Sequence, residues 1–343
     1  MAMILRRRGL IAGAAGLLVA ARTPAVAAAI GVTGGGSSFI DPVMQQWTKI
    51  VPQSLGLTAK YSILGAGTTQ SKVLAGDLDF AAMELPLTAD TLESGHLTQF
   101  PIAFGALAVV VNIPGITSDK MQLDGVLLAG IYAGSITKWN DPKIVASNPG
   151  VSLPDLDIKP MRLDRPGGSV FSTTHALTQY LLATNTDWRE KFGATIKGRW
   201  AVGGMASNAE NMLEVLKTVP GSIGYAALGT VKQSGLVTVQ LRNRAGQAMK
   251  VNTTCLQATV SHVDWTKAPG LVANTIDLPG DGSWPLVLTT YALIKQDLAD
   301  KAHHAAVRKF FRFALTEGAD AATQSSAVPL PAGLRAMVQS MVS

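Results

Sequence analysis

Residues 30–43 read Ile30-Gly31-Val32-Thr33-Gly34-Gly35-Gly36-Ser37-Ser38-Phe39-Ile40-Asp41-Pro42-Val43. A strand-like opening runs into three glycines and two serines, and Pro42 then stands where a helix begins. Asp41 is placed to cap that helix, with Pro42 as its first residue. Beyond it, Val43, Trp47 and Ile50/Val51 share one helical face. Strand, glycine-rich turn bearing hydroxyls, then helix: this order is a unit of α/β architecture.

The same build recurs twice. Gly65-Ala66-Gly67-Thr68-Thr69 follows a strand-like 57–63 and precedes an apolar-periodic stretch through Val73 and Leu74. Gly167-Gly168-Ser169 follows 158–163 and opens a helix carrying Val170, Thr174, Leu177 and Leu181. Further strands are expected at 106–112, 236–241 and 285–294. Near the C-terminus Val307, Phe310, Phe311, Ala314 and Leu315 follow helical spacing, and Gly318 is read as the helix stop. No internal repeat or low-complexity block interrupts this alternation.

A helix N-terminus carries unpaired N–H groups and about half a positive charge. Glycine lets a ligand approach the backbone, and Ser or Thr adds a donor without bulk. One such turn is explained by tight turning alone. Three in one chain point to a small tetrahedral anion. Other chemistries lack their motifs: there is no G-x-x-x-x-G-K-[ST], no G-x-G-x-x-G after a strand, no H-E-x-x-H, no paired C-x-x-C and no G-x-S-x-G. Ser169 and His175 lack an orienting acid, and His303-His304 reads as a solvent-facing helical turn.

Composition narrows the class further. Of 343 residues, 47% are apolar and 15% charged, which excludes a disordered chain and leaves room for two lobes of ordinary size. With 6% aromatics, stacking platforms for single-stranded nucleic acid are not expected. Lys and Arg number 29 against 23 acids, a formal +6. Residues 1–29 read as an export signal: Arg6, Arg7 and Arg8, then a short apolar stretch from Gly9 to Ala21, then Ala25-Val26-Ala27. Arg7-Arg8 leaves a twin-arginine route open. Removing the signal takes four arginines (Arg6, Arg7, Arg8 and Arg22) and no acids, so 29 falls to 25 against 23, a net +2. No nucleic-acid partner is then expected. The single cysteine, Cys255, forms no internal disulfide, offers no lipid anchor near the cleavage region, and is read as a buried apolar residue. A soluble protein of the bacterial periplasm is the expectation.

Longer stretches carry a resemblance. Gly34 to Phe39, then Leu78-Asp79-Phe80 through Glu84, Pro86 and Leu87, fall in register with Gln99-Phe100-Pro101 and Val111-Asn112-Ile113-Pro114-Gly115. Leu123-Asp124-Gly125, Ile131-Tyr132, Gly134, Ile136, Lys138-Trp139, Asp141 and Asn148-Pro149-Gly150 continue it, as do Pro220 to Tyr225 and Trp284-Pro285-Leu286. Over nearly the whole chain after the signal, this resembles the PstS-type periplasmic phosphate-binding proteins of phosphate-specific ABC transporters. Alone, Tyr132 and Trp139 read as core aromatics.

The resemblance implies an α/β, two-lobed periplasmic-binding-protein fold. Each lobe would be a mixed sheet flanked by helices, with two crossover strands between them. Lobe one would hold 30–108 and 286–343, lobe two 109–285, with the hinge near 107–110 and 284–286. It implies inorganic phosphate as ligand, permease subunits in the inner membrane as partners, a monomer, no cofactor or metal, and no enzymatic activity. The implied ligand-binding residues are Ser38, Phe39, Gly67, Thr68, Glu84, Arg162, Asp164, Gly168 and Ser169. Departures fall on the site itself: Ala66 stands where the family has serine, and Glu84 where it has aspartate. Arg162-Leu163-Asp164-Arg165-Pro166-Gly167-Gly168-Ser169 fits the family's Arg-x-Asp-x-Ser-Gly-Thr with one residue inserted. With the insertion, the favoured alignment, Arg162 is the charge clamp, Asp164 its orienter and Arg165 an extra cation; without it, Leu163 and Arg165 replace the family's arginine and aspartate. The alternatives are a receptor for another oxyanion or an organic phosphate, or an exported phosphoester hydrolase.

Overall fold

The structure is a computed structural model that describes residues 30–164, 171–193 and 200–343. Its strands are β1 (Gly31–Gly36), β2 (Thr58–Ile63), β3 (Phe80–Met83), β4 (Leu97–Val111), β5 (Gln122–Leu123), β6 (Lys159–Leu163), β7 (Gly204–Ala206), β8 (Ser222–Ala227), β9 (Val237–Thr238), β10 (Gln240–Arg242), β11 (Ala248–Met249) and β12 (Val287–Lys295). The larger sheet runs β2-β1-β3-β12-β4-β8-β6-β7, with β9 also on β4, and a small sheet runs β11-β10-β5. β1, β2 and β3 are mutually parallel, as are β6, β7 and β8, while β12 and β4 run antiparallel between these groups. Helices pack on both sets.

The 15-residue β4 joins the two groups. It pairs with β12 as far as Ala106 and with β8 from Leu107 onward. Apart from Thr98 it is buried throughout, which suits a strand covered on both faces and explains its unbroken apolar run from Phe100 to Val111.

The first helix, Asp41–Leu55, buries Val43, Met44, Trp47 and Val51 as its spacing predicts. Its N-cap, however, is Ile40 rather than Asp41. The Ile40 carbonyl already takes the N–H groups of Val43 and Met44 (3.0 and 3.1 Å), so the amides that Asp41 would have capped are occupied. The Asp41 carboxylate accepts from Gln45 Nε2 instead (3.0 Å).

Gly34, Gly35 and Gly36 were expected in a turn but belong to β1. A Cβ at Gly34 would run into the Phe80 ring, and one at Gly36 into the Ala82 carbonyl. Phe80 stacks with Tyr61 and Phe310 and meets Phe311 edge-on, so the glycines make room for a four-ring cluster between sheet and helix Lys301–Leu315. Gly318 does not end that helix in a left-handed cap, since its φ is −76°. Its carbonyl accepts the Trp47 indole N–H (2.8 Å), and a Cβ there would lie 2.8 Å from that nitrogen.

Three further differences have local causes. The single strand expected at 236–241 divides into β9 and β10, because the chain leaves β4 at the buried Val239 and joins β5. His303 is not solvent-facing: its Nε2 lies 2.6 Å from Asp79 Oδ1, and Asp79 Oδ2 accepts from the Thr33 amide and hydroxyl (2.6 and 2.8 Å). Tyr132 and Trp139 are core residues, and Cys255 is buried in the first turn of helix Thr253–Ser261, where its thiol donates to the Asn252 carbonyl (3.0 Å). Burial pushes that thiol's pKa up. Among the described residues, no helix is long and apolar enough to cross a membrane.

Candidate functional site

Parallel strands release their loops at one edge, and in open α/β sheets that carboxyl edge is where ligands gather. β1 ends at Gly36 and delivers Ser37-Ser38-Phe39; β3 ends at Met83 and delivers Glu84. β2 leads to helix Ala66–Ala75, and β6 to Asp164 and, later, helix Ser172–Thr184. Three of these loops lie on the β12 side of β4 and the fourth on its β8 side.

Glu84 is the centre of the arrangement. It is 8% exposed. The Ser172 hydroxyl donates to its Oε2 at 2.6 Å, and the Thr290 hydroxyl donates to its Oε1 at 3.1 Å. The Ser37 side chain is a third hydrogen-bond partner. Burial pushes the Glu84 carboxyl above its ordinary value, and the three hydroxyls pull it partly back. Ser37 is itself tied on every side. Its amide donates to the Ala82 carbonyl (3.0 Å), its Oγ accepts from the Phe39 amide (3.0 Å), and its carbonyl accepts from the Tyr61 hydroxyl (2.8 Å). Burial, and then the Glu84 charge, raise the Tyr61 phenol well above its usual value.

The expected residues divide between described and undescribed segments. Ser38 is half-buried in the turn after β1, and the buried Phe39 packs its ring over Gly105. Gly67 and Thr68 lie exposed in the first turn of helix Ala66–Ala75, beyond the end of β2. Thr69, one residue on, is buried with its hydroxyl donating to the Gly65 carbonyl (3.0 Å). Arg162 Nε stands 3.5 Å from Asp164 Oδ2, and Arg162 Nη1 donates to the Gly203 carbonyl at 2.6 Å. Gly203 has φ +117°, a conformation that favours glycine, so the carbonyl facing the guanidinium depends on that residue type. Arg165, Gly168 and Ser169 lie outside the described residues.

Behind Arg162, the Tyr225 hydroxyl accepts from the Leu163 amide (3.0 Å) and meets Thr174 Oγ1 at 2.6 Å, fixing the end of β6 against helix Ser172–Thr184. Burial raises the Tyr225 phenol to about 12, so it stays protonated and structural at neutral pH.

Ser37, Ser172 and Thr290 were not singled out from the sequence. The register shift between Thr290 and Tyr291 skips Ile102 of β4, next to Pro101, which has no N–H to give a ladder. Such a bulge re-aims a side chain. Here it lies where Tyr291 pairs with Met83, the residue before Glu84. Pro101 within a long apolar run was the available signal.

The groups around Glu84 form a water-poor acceptor flanked by hydroxyls, and the Arg162 guanidinium stands apart at the end of β6, across β12, β4 and β8 from β3. A PBP superfamily domain model matches residues 19–317. The chain is 32% identical over 309 residues to the phosphate-binding protein PstS of Haemophilus influenzae, spanning 90% of this chain and 91% of that one. It is 33% identical over 300 residues to PstS of Pasteurella multocida, spanning 88% and 86%. Among solved structures, a high affinity periplasmic phosphate-binding protein bound with phosphate superposes with a TM-score of 0.71 at 18% identity, over 91% and 93% of the two chains. That likeness speaks for the fold: two α/β lobes of mixed sheet and helices. By the match along its length and its kinship with these relatives, the chain belongs to the PBP superfamily, among the PstS-type phosphate-binding proteins.

Proposed function

We propose that this chain is an exported receptor that captures inorganic phosphate between its lobes and delivers it to an ABC-type permease. The observation that carries the reading is Glu84, a buried carboxylate held by hydroxyls from both sides of β4. A carboxylate so placed is an acceptor for a ligand that brings its own proton. Hydrogen phosphate has one to give; sulfate at neutral pH has none and meets Glu84 as a like charge. An uncompensated buried charge costs about 3–5 kcal/mol, or about two to three powers of ten in affinity. The names of the relatives support phosphate as the anion.

In this reading Ser38, Phe39, Gly67, Thr68, Gly168 and Ser169 supply donors from the helix-opening turns. Arg162 neutralises the anion, Asp164 orients Arg162, and Glu84 takes the ligand's proton. The lobes are 30–108 with 286–343, and 109–285. Residues 1–29 direct export to the periplasm, and the receptor acts as a monomer without chemistry on its ligand. Closing a cleft from a 1:99 to a 99:1 population takes about 5.5 kcal/mol of differential affinity. Contacts completed only when both lobes reach the anion are a source for it. A thermal-shift panel of phosphate, arsenate, sulfate and molybdate tests the reading. Phosphate and arsenate are expected to raise the melting temperature, and sulfate and molybdate far less. Indifference to phosphate would sink it.

A further inference from the structure

The geometry points to Ser172 as the positioning residue that holds Glu84 as an acceptor toward a bound anion, with Thr290 as its counterpart on the other carboxylate oxygen. This rests on the phosphate-receptor reading and deepens it. Ser172 donates to Oε2 at 2.6 Å and Thr290 to Oε1 at 3.1 Å. Ser37 is the third partner. Donors on both oxygens are matched to the carboxylate. A carboxylic acid would place its own proton against one of them and force that hydroxyl to turn. The hydroxyls therefore favour the charged form against the burial that opposes it.

Among the described residues, the ionisable group facing this cluster is Tyr61 of β2, whose hydroxyl is committed to the Ser37 carbonyl (2.8 Å), with Asp41 acting on Tyr61 from the start of its helix. Neither supplies a positive charge to hold Glu84 ionised. Among the described residues, hydroxyls carry that task, and hydrogen bonds to charged groups are the strong ones.

Ser172 differs from its companions in origin. Ser37 and Thr290 belong to the β1 and β12 segments, whereas Ser172 opens the helix that follows β6 on the far side of β4. Its donor reaches Glu84 only while the two sides are together. Meeting of the sides and the acceptor state of Glu84 are thereby coupled through one hydroxyl. Without it, one donor fewer opposes burial and Glu84 moves toward its neutral form, whose proton suits sulfate and opposes the proton of hydrogen phosphate.

The test is calorimetry of phosphate and sulfate binding to the full chain as wild type, Ser172→Ala, Ser172→Thr and Thr290→Val, with melting temperatures alongside. Losing a charge-assisted bond is expected to lower the phosphate-to-sulfate affinity ratio about tenfold or more in Ser172→Ala. Ser172→Thr, which keeps a hydroxyl, restores the ratio, and Thr290→Val moves it in the Ser172→Ala direction. A merely structural role would lower both affinities together and leave the ratio alone; that result overturns the inference. An unchanged ratio in Ser172→Ala, with wild type binding phosphate, overturns it while sparing the receptor reading. Wild type that takes up neither anion overturns both. Should Ser172→Ala fail to fold, Thr290→Val decides by the same ratio.

Discussion

The Trp284 indole N–H donates to the Leu107 carbonyl at 3.1 Å, and the Leu107 amide donates to the Leu286 carbonyl at 2.9 Å. Leu107 is the first residue of β4 to pair with β8, so a fully buried indole clips the lead-in of β12 to the point where β4 changes partner. Trp284→Phe removes the donor, strands a buried carbonyl and leaves a void. The expected loss is about 2–4 kcal/mol, read as a lower urea midpoint. A midpoint within error of wild type would show that the clip contributes nothing.

Gly34→Ala and Gly56→Ala separate two uses of glycine. A methyl at Gly34 meets the Phe80 ring inside the aromatic cluster, whereas Gly56 has φ +66° and open space around it. The first is expected to cost about 3 kcal/mol or more by overpacking, the second about 1 kcal/mol by backbone strain. Equal costs in denaturant titrations would contradict the packing argument.

Glu84→Gln keeps the shape of the acceptor and removes its charge. Sulfate binding should strengthen and phosphate binding weaken, narrowing their ratio by about two powers of ten. Calorimetry reads both, and unaltered affinities would remove Glu84 from the recognition step.

The raised Glu84 pKa has a signed consequence for stability in anion-free buffer. In the unfolded chain this carboxyl titrates at about 4.3. Below that value both states hold the proton and Glu84 is neutral in the ledger. As pH climbs through the window up to its folded value, the unfolded chain sheds the proton while the fold retains it, so stability falls and then levels off. Glu84→Gln should lose that fall. Urea midpoints measured across the window, compared between the two proteins, check it; parallel curves would argue against the shift.

Arg162→Ala should weaken phosphate binding more than Arg165→Ala. Arg162 stands beside Asp164 and against the Gly203 carbonyl, contacts that pre-set the orientation of its guanidinium. The reverse ranking in calorimetry would shift the clamp to Arg165.

Much of the scaffold could be read from the chain. The strands expected at 57–63, 158–163 and 285–294 fall within two residues of β2, β6 and β12 at each end, because turn-forming residues bound each of them. The amphipathic faces of the helices at 41–55 and 301–315 were equally plain. What escaped depends on neighbours distant in sequence. Nothing local says that Gly34 faces Phe80, or that Ile40 satisfies the amides Asp41 was placed to cap. Glu84 was legible as an acid at a strand end. Its partners were not: Ser37 rather than Ser38 reaches it through the register of β1 on β3, Thr290 through a bulge, and Ser172 through a helix from across β4.

The sulfur of Cys255 lies under the helix start that it helps to cap, and burial holds it as a thiol. An oxidising surrounding therefore finds no reactive thiol on the folded chain. Two copies should not become covalently linked in storage, and gels run with and without reductant should coincide.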